Sequence, residues 1–358
     1  MKYCISLLLS LFIVSSLSAQ KTVKMSAVKA NDYGVAYSLP KTSVEVIISY
    51  TKKTRKAGQF YQYAERYLNV TNPIVEDEVV YTLDKIDATT KGIADKANSY
   101  LVEFKSNSIA PFVTLTPDGL ICAINADYAF SSNTAPSVVE STSQELPNPN
   151  TFLSEEILRA GSTAKQAELI AKQIYRLRES RTNILTGEAD NMPPDGDAYK
   201  LVMNQLDEQE KALTAMFIGS ETTESLAKTF TFIPEKDDIE KQVICRFSSK
   251  LGIVEANDLS GAPVHMSLQS QSPRIEMILT PKEEKDLEKK FSRGIIYNVP
   301  SKADLKITYN GKNYVNSIFD VVQYGTQDVL TPQMFDNNKK PIQVIFFPDL
   351  GAIKQIIQ

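Results

Sequence analysis

His265 is the only histidine among 358 residues. Any Ser-His-Asp or Cys-His site would have to use it. It lies in Pro263-Val-His-Met-Ser267, which reads as a strand with no carboxylate nearby in sequence, so a structural role is expected. One histidine cannot build the usual multi-histidine zinc sites, and there is no His-Glu-x-x-His. Ser-x-x-Lys, the opening pair of penicillin-binding acyl-enzyme chemistry, occurs at Ser26/Lys29, Ser49/Lys52, Ser162/Lys165 and Ser225/Lys228. Four copies without a Lys-Thr-Gly partner point to chance. Adjacent acids stand at Glu155/Glu156, Asp207/Glu208, Asp237/Asp238 and Glu283/Glu284. A glycosidase needs two carboxylates facing one substrate, which sequence neighbours do not supply. The chain has no Trp, which weakens a carbohydrate reading without removing it, since Tyr can serve. The loop from Asp190 to Asp197 lacks the ligand order and closing Glu of an EF-hand, and turn chemistry explains it better. Neither a P-loop nor Gly-x-Gly-x-x-Gly is present. No catalytic, cofactor-binding or metal-ligating residue is assigned, and no cofactor is expected.

The elements that would have to position any site are clearer. Residues 151–218 read as two helices folded back on each other. Ser154 can cap the first, with Glu155 and Glu156 placed where the helix dipole favours them. Ile157, Ala160, Ala164, Ala167, Ala171 and Ile174 then form one stripe, with Gly161 a weak point inside it. Tyr199, Val202, Leu206, Leu213 and Met216 form the stripe of the second arm, and Asp197 is its expected cap. Thr186–Asp197, with two Gly and two adjacent Pro, must break the helix, so the arms are expected to pack antiparallel. Arg178 and Arg181 on the first arm and Glu210 on the second are expected on solvated outer faces. The sharper reading is an arm that contacts a protein partner.

Met1–Ala19 has a positive start at Lys2, an apolar run from Ile5 to Val14 and small residues before Gln20. This is the pattern of a secretory signal peptide, and the run is shorter than the roughly 20 residues a membrane span needs. The remainder, 42% hydrophobic and 23% charged overall, is ordinary globular composition, long enough for two domains. The net charge of −4 gives no electrostatic reason to expect nucleic acid. Cys122 and Cys245 are expected as buried free thiols, with a disulfide between lobes the alternative.

Residues 20–150 read as a β-rich lobe. Ser43–Tyr50 alternates as a strand, Gln59–Leu68 reads as a short helix with an aromatic core face, and 79–86 and 100–104 read as two further strands. Residues 112–124 form a hairpin around Pro117-Asp-Gly119, and 131–150 read as a linker. Residues 219–358 read as a second, antiparallel β lobe. Its strands are expected at 228–233, 242–247, 266–268, 275–279, 294–300, 305–309, 342–347 and 352–357. Asn310-Gly311 marks a hairpin, and Pro281–Lys290 a helical turn or solvated loop. The fold class is therefore α+β, two antiparallel β-rich lobes joined by a central antiparallel helical hairpin.

Five pieces carry a family resemblance: Tyr37-Ser-Leu-Pro-Lys-Thr42, Gln62-Tyr-Ala-Glu-Arg-Tyr-Leu68, Pro117-Asp-Gly-Leu120, Gly294-Ile-Ile-Tyr-Asn-Val-Pro300 and Phe347-Pro-Asp-Leu-Gly-Ala-Ile353. In that order they resemble a family of exported Bacteroidetes proteins catalogued as domain of unknown function 4831. The resemblance implies export and a similar layout, and it carries over neither an activity nor a catalytic residue. Two functions follow as expectations. One is a non-enzymatic binding or assembly module in the periplasm or cell envelope. The other is a hydrolase acting on glycan or peptide, with carboxylates brought together between the lobes.

Overall fold

The computed structural model describes residues 34–104, 113–129, 146–194, 196–272, 280–331 and 342–357, and the backbone alone for 20–24 and 103–104. The signal-peptide segment, Ser26/Lys29, most of the expected linker and the expected strand at 275–279 lie outside these residues. The described chain is mostly β, in three antiparallel sheets with a few helices.

The first sheet is built on β2 (Gly34–Lys56) and β3 (Glu78–Phe104), paired from Gly34↔Glu103 to Arg55↔Glu78. β1 (Gln20–Lys24) adds to β3, and β6 (Ser220–Phe232) adds to β2. The second sheet is built on β10 (Ile295–Tyr309) and β11 (Lys312–Leu330). Asn310 and Gly311 close that hairpin, with φ of 48° and 76° suiting the tight turn that Asn-Gly favours. β9 (Ala262–Ser270), β7 (Ile239–Ser248) and β8 (Gly252–Val254) complete the sheet. The third has the order β13 (Ala352–Ile357), β12 (Gln343–Phe347), β5 (Ile121–Ile124), β4 (Val113–Leu115).

These pairings do not divide the chain into two sequence-contiguous lobes. β6 and β12 come from the later half, yet they pair with β2 and β5 of the earlier half. The cores are mixed in the same way. Val44, Val46 and Ile48 pack in one cluster with Met266, Leu305 and Ile307. Tyr37, Tyr100 and Ile121 pack in another with Ile296, Val344 and Phe346. Alternation tells which face of a strand is buried but not which strand lies beside it. Strands were also longer than expected. The separate expectations at 79–86 and 100–104 are one strand, β3, and those at 294–300 and 305–309 are one strand, β10.

Each long hairpin has two register shifts, and the larger one in each is a four-residue interruption. In the first, Ser38 faces Ser99 and Pro40 faces Ala94, which leaves Asp95–Asn98 as a bulge opposite Leu39. In the second, Val299 faces Thr326 and Ser301 faces Val321, which leaves 322–325 as a bulge opposite Pro300. The interruptions fall where each hairpin passes from one core cluster to the other. They also fall in a repeated segment, Gly34-Val-Ala-Tyr-Ser-Leu-Pro40 and Gly294-Ile-Ile-Tyr-Asn-Val-Pro300. Each hairpin is followed by a short one closed by a Pro-Asp turn, at Pro117-Asp-Gly119 and Pro348-Asp-Leu-Gly351. The same hydrogen bond joins the parts both times. Ser38 N–H donates to Gly119 O at 2.9 Å, and Asn298 N–H donates to Gly351 O at 2.9 Å. The chain thus contains one structural unit twice, about 260 residues apart.

The helices pack as a third cluster. Before it stands the short α1 (Ala64–Leu68), whose Ala64 and Leu68 are buried with Phe60. The first arm does not run through Gly161. α2 (Glu155–Leu158) ends before it, and α3 (Thr163–Thr186) restarts with Ser162 Oγ accepting Lys165 N–H. α4 (Asp197–Ile218) is preceded by Gly196 as N-cap, so Asp197 is its first helical residue rather than its cap. Ala167, Ile170 and Ile174 of α3 bury against Leu213 and Phe217 of α4. Arg178 and Arg181 are not on a solvated outer face. Both reach Glu210 across the pair, at 2.7 and 2.8 Å, and Arg181 also reaches Asp207 at 3.5 Å. Replacing Glu210 by Ala is expected to cost about 1 kcal/mol, at the top of the range for partly exposed pairs. Faster hydrogen exchange over 175–211 would report it, and unchanged exchange would refute it. The charged run at 281–290 is a full helix, α5 (Pro281–Phe291), fixed by a capping box between Thr280 and Glu283. No helix among the described residues is long and apolar enough to cross a membrane.

Candidate functional site

The three sheets meet at a polar junction. Asn298, 2% exposed, stands at its centre on β10. Its Nδ2 donates to Pro40 O at 3.1 Å and to Leu350 O at 3.0 Å, and its Oδ1 accepts from Gln327. The Tyr37 hydroxyl donates to Ile296 O and accepts from Ile296 N–H. Burial, the larger influence, pushes this phenol far above its ordinary range, against the lowering from the Ile296 contact. The Gln323 amide pairs with both backbone groups of Thr42, at 3.0 and 2.8 Å, as a strand neighbour would. The β12–β13 turn docks on β3, where Gly92 N–H donates to Asp349 Oδ1 at 3.2 Å. A Cβ at Gly92 would collide with the Asp349 backbone. Gly351 turns there with φ of +62° against Pro40, so a side chain would meet both strain and a clash.

A cleft of about 710 Å³ opens over this junction. One wall is the β3 bulge with Asp95 and Asn98, and the other is the β11 bulge with Gln323. Glu235, Lys236 and Asp237 of the β6–β7 loop and Phe291 at the end of α5 complete the rim. Tyr324 anchors that loop by donating to Asp237 O at 3.1 Å. Several lining groups are engaged in structure. The Asp95 carboxylate accepts from Ala97 N–H and Asn98 Nδ2 and so holds its own bulge. The side chains of Lys41, Glu235 and Lys236 line the cleft without a hydrogen bond or ion pair among the described residues.

The residues singled out in the sequence lie elsewhere, with one exception. His265, on β9, has its Nδ1 3.3 Å from Lys241 O, with no carboxylate of the described residues paired with the ring. Ser162 caps α3. Ser225 and Lys228 lie three apart on β6, hence on opposite faces, and Lys52 near Ser49 pairs with Glu224 at 3.2 Å. Glu155 pairs with Arg159, Asp207 with Lys211, and Glu283 caps α5. Of the adjacent acids only Asp237 reaches the cleft. Cys122 and Cys245 are buried free thiols on β5 and β7, different sheets. Burial pushes each up to about 11 from 9.0. The thiolate at pH 8 should fall about a hundredfold, so iodoacetamide should label the folded chain far more slowly than the unfolded one. Equal rates would contradict this burial.

The cleft residues Lys41, Asp95, Asn298, Gln323 and Glu235 were missed. The available signal was the repeated Tyr-x-x-Pro at Tyr37 and Tyr297, which marks both interruptions.

Neither a curated protein nor a solved structure matches the chain. One family model does, over residues 33–354. Four of the five pieces that carried the resemblance, those beginning at Tyr37, Pro117, Gly294 and Phe347, meet at this junction. The fifth, Gln62–Leu68, supports the helices, where Tyr67 O accepts from the Tyr175 hydroxyl at 2.9 Å. With nearly all of its described length inside that match, the chain belongs to the family described as Domain of unknown function (DUF4831).

Proposed function

We propose that the protein is an exported, non-enzymatic binding or assembly module of the cell envelope, and that the α3–α4 pair is the arm that meets a protein partner. The distal half of this pair carries the argument. Every buried residue of α3 lies between Ala167 and Ile174, and every one of α4 between Ala212 and Phe217. Beyond Ile174 the helix runs on for roughly 18 Å at 1.5 Å per residue with no fully buried residue, joined to α4 by ion pairs. The far end bears Leu185 and Leu201, each 63% exposed, with Met192 and Val202 beside them in sequence. Exposed apolar groups gathered at a projecting end are the mark of an interaction surface. Export rests on the charged start, apolar run and small residues of Met1–Ala19.

The test is a crosslinking pull-down from envelope extract, with the chain from Gln20 as bait and Leu185→Glu/Leu201→Glu as its control. A partner held by the first and lost from the second supports the arm. Capture that ignores the double variant removes it. The second reading, a hydrolase of glycan or peptide, draws on Asp95, Glu235 and Asp237 lining one cleft. The engagement of Asp95 by its own bulge weighs against it. Turnover of fluorogenic glycans or peptides, abolished by Glu235→Gln, would restore it.

A further inference from the structure

We propose that the cleft between the two bulges binds an uncharged, hydroxyl-rich ligand, a short oligosaccharide. This site is separate from the helical arm and stands or falls without it. Position is the first argument. Both copies of the repeated unit break their long hairpin, and both breaks open on this one cavity. Bulges re-aim side chains and are enriched beside functional sites. Passage between two cores accounts for a bend in each hairpin. It does not account for the side chains of Lys41, Glu235 and Lys236 standing at the cavity without partners among the described residues.

Size and chemistry are the second argument. About 710 Å³ lies within the range of small-ligand sites. Cations and carboxylates are nearly balanced around it, Lys41 and Lys236 against Asp95, Glu235 and Asp237. A phosphorylated ligand would want a net positive wall, and a hydrocarbon would want more apolar lining. A sugar presents hydroxyls that both donate and accept, so it matches ammonium, carboxylate and amide groups at once. The Gln323 amide commits one N–H and one lone pair to Thr42 and keeps one of each. Thr326 adds a hydroxyl with no partner among the described residues, and Phe291 adds a half-buried apolar side chain at the rim.

The experiment titrates the chain from Gln20 by calorimetry with cellohexaose, maltohexaose and chitohexaose, and separately with inorganic phosphate and a neutral hexapeptide. At least one oligosaccharide is expected to saturate, with affinity weakened about tenfold or more by Lys41→Ala/Glu235→Gln. Those two side chains hold no partner among the described residues, so circular dichroism of the variant should match the parent. If it does not, Thr326→Val serves in its place. Leu185→Glu/Leu201→Glu, which alters only the arm, should leave sugar binding unchanged. Failure of all three sugars to saturate overturns the proposal. So does binding that ignores the cleft variants, or saturation by phosphate or peptide alone.

Discussion

Replacing Asn298 by leucine is expected to cost about 3 kcal/mol and to destabilise all three sheets together. The leucine keeps the branched outline, slightly enlarged, and removes both N–H donors. Pro40 O, buried at the junction, and Leu350 O, part-buried beside it, then lose the amide that now satisfies them. Each buried acceptor left unpaired costs roughly 1–3 kcal/mol. Gln327 loses its acceptor as well, although its exposure lets water substitute. The effect should be global because Asn298 joins the β2 segment at Pro40, the β12–β13 turn at Leu350 and its own strand β10. With no tryptophan in the chain, far-ultraviolet circular dichroism in urea is the suitable measurement. A loss under about 1 kcal/mol would mean that the junction is held by apolar packing, not by this amide.

Phe217→Ala should be as costly and yet local. Phe217 is fully buried at the base of α4, with its ring 5.7 Å from that of Phe60 and Ile170 and Ile174 in the same cluster. Truncating a buried Phe typically costs about 3–5 kcal/mol through lost burial and the cavity left behind. This cluster shares no buried residue with the two between the sheets. Hydrogen exchange should therefore quicken across 163–186 and 197–218 while β2, β3, β10 and β11 keep their protection. Equal acceleration in the sheets would show instead that helices and sheets open as one unit.

The legible part of this fold was the local part. Faces came out well: Val44, Val46 and Ile48 alternate inward, and Ala167, Ala171 and Ile174 line the buried side of α3. Gly161 was read as a weak point and stands at the break between α2 and α3. Partners came out poorly. Nothing within β6 says that its neighbour is β2, because hydrogen-bond donors and acceptors are the same on every strand edge. β11 went unread since its polar outward residues, such as Asn316, Ser317 and Asp320, hide the alternation. The cleft was hidden for a related reason. Its walls come from residues near 40, 95, 235, 298 and 323, and none of these stretches has a composition that announces a site. Only the recurrence of Gly-x-x-Tyr-x-x-Pro at Gly34 and Gly294, which went unread, links two of them.

The two copies of the repeated unit carry a consequence for synthesis. Val44 waits for Leu305 and Ile121 for Val344, so the earlier copy cannot close its first core before β10 exists or its second before β12 exists. The final pairing, β12 with β5, joins residues more than two hundred positions apart. Contacts of such separation are slow to form, and apolar strands exposed meanwhile are open to wrong partners. A nascent chain stopped short of Gln343 holds Ile121 and Ile124 without their cover. Closure of the second core thus waits for β12 and β13, and the Pro348–Gly351 turn that docks against Gly92 and Asn298 acts as its latch.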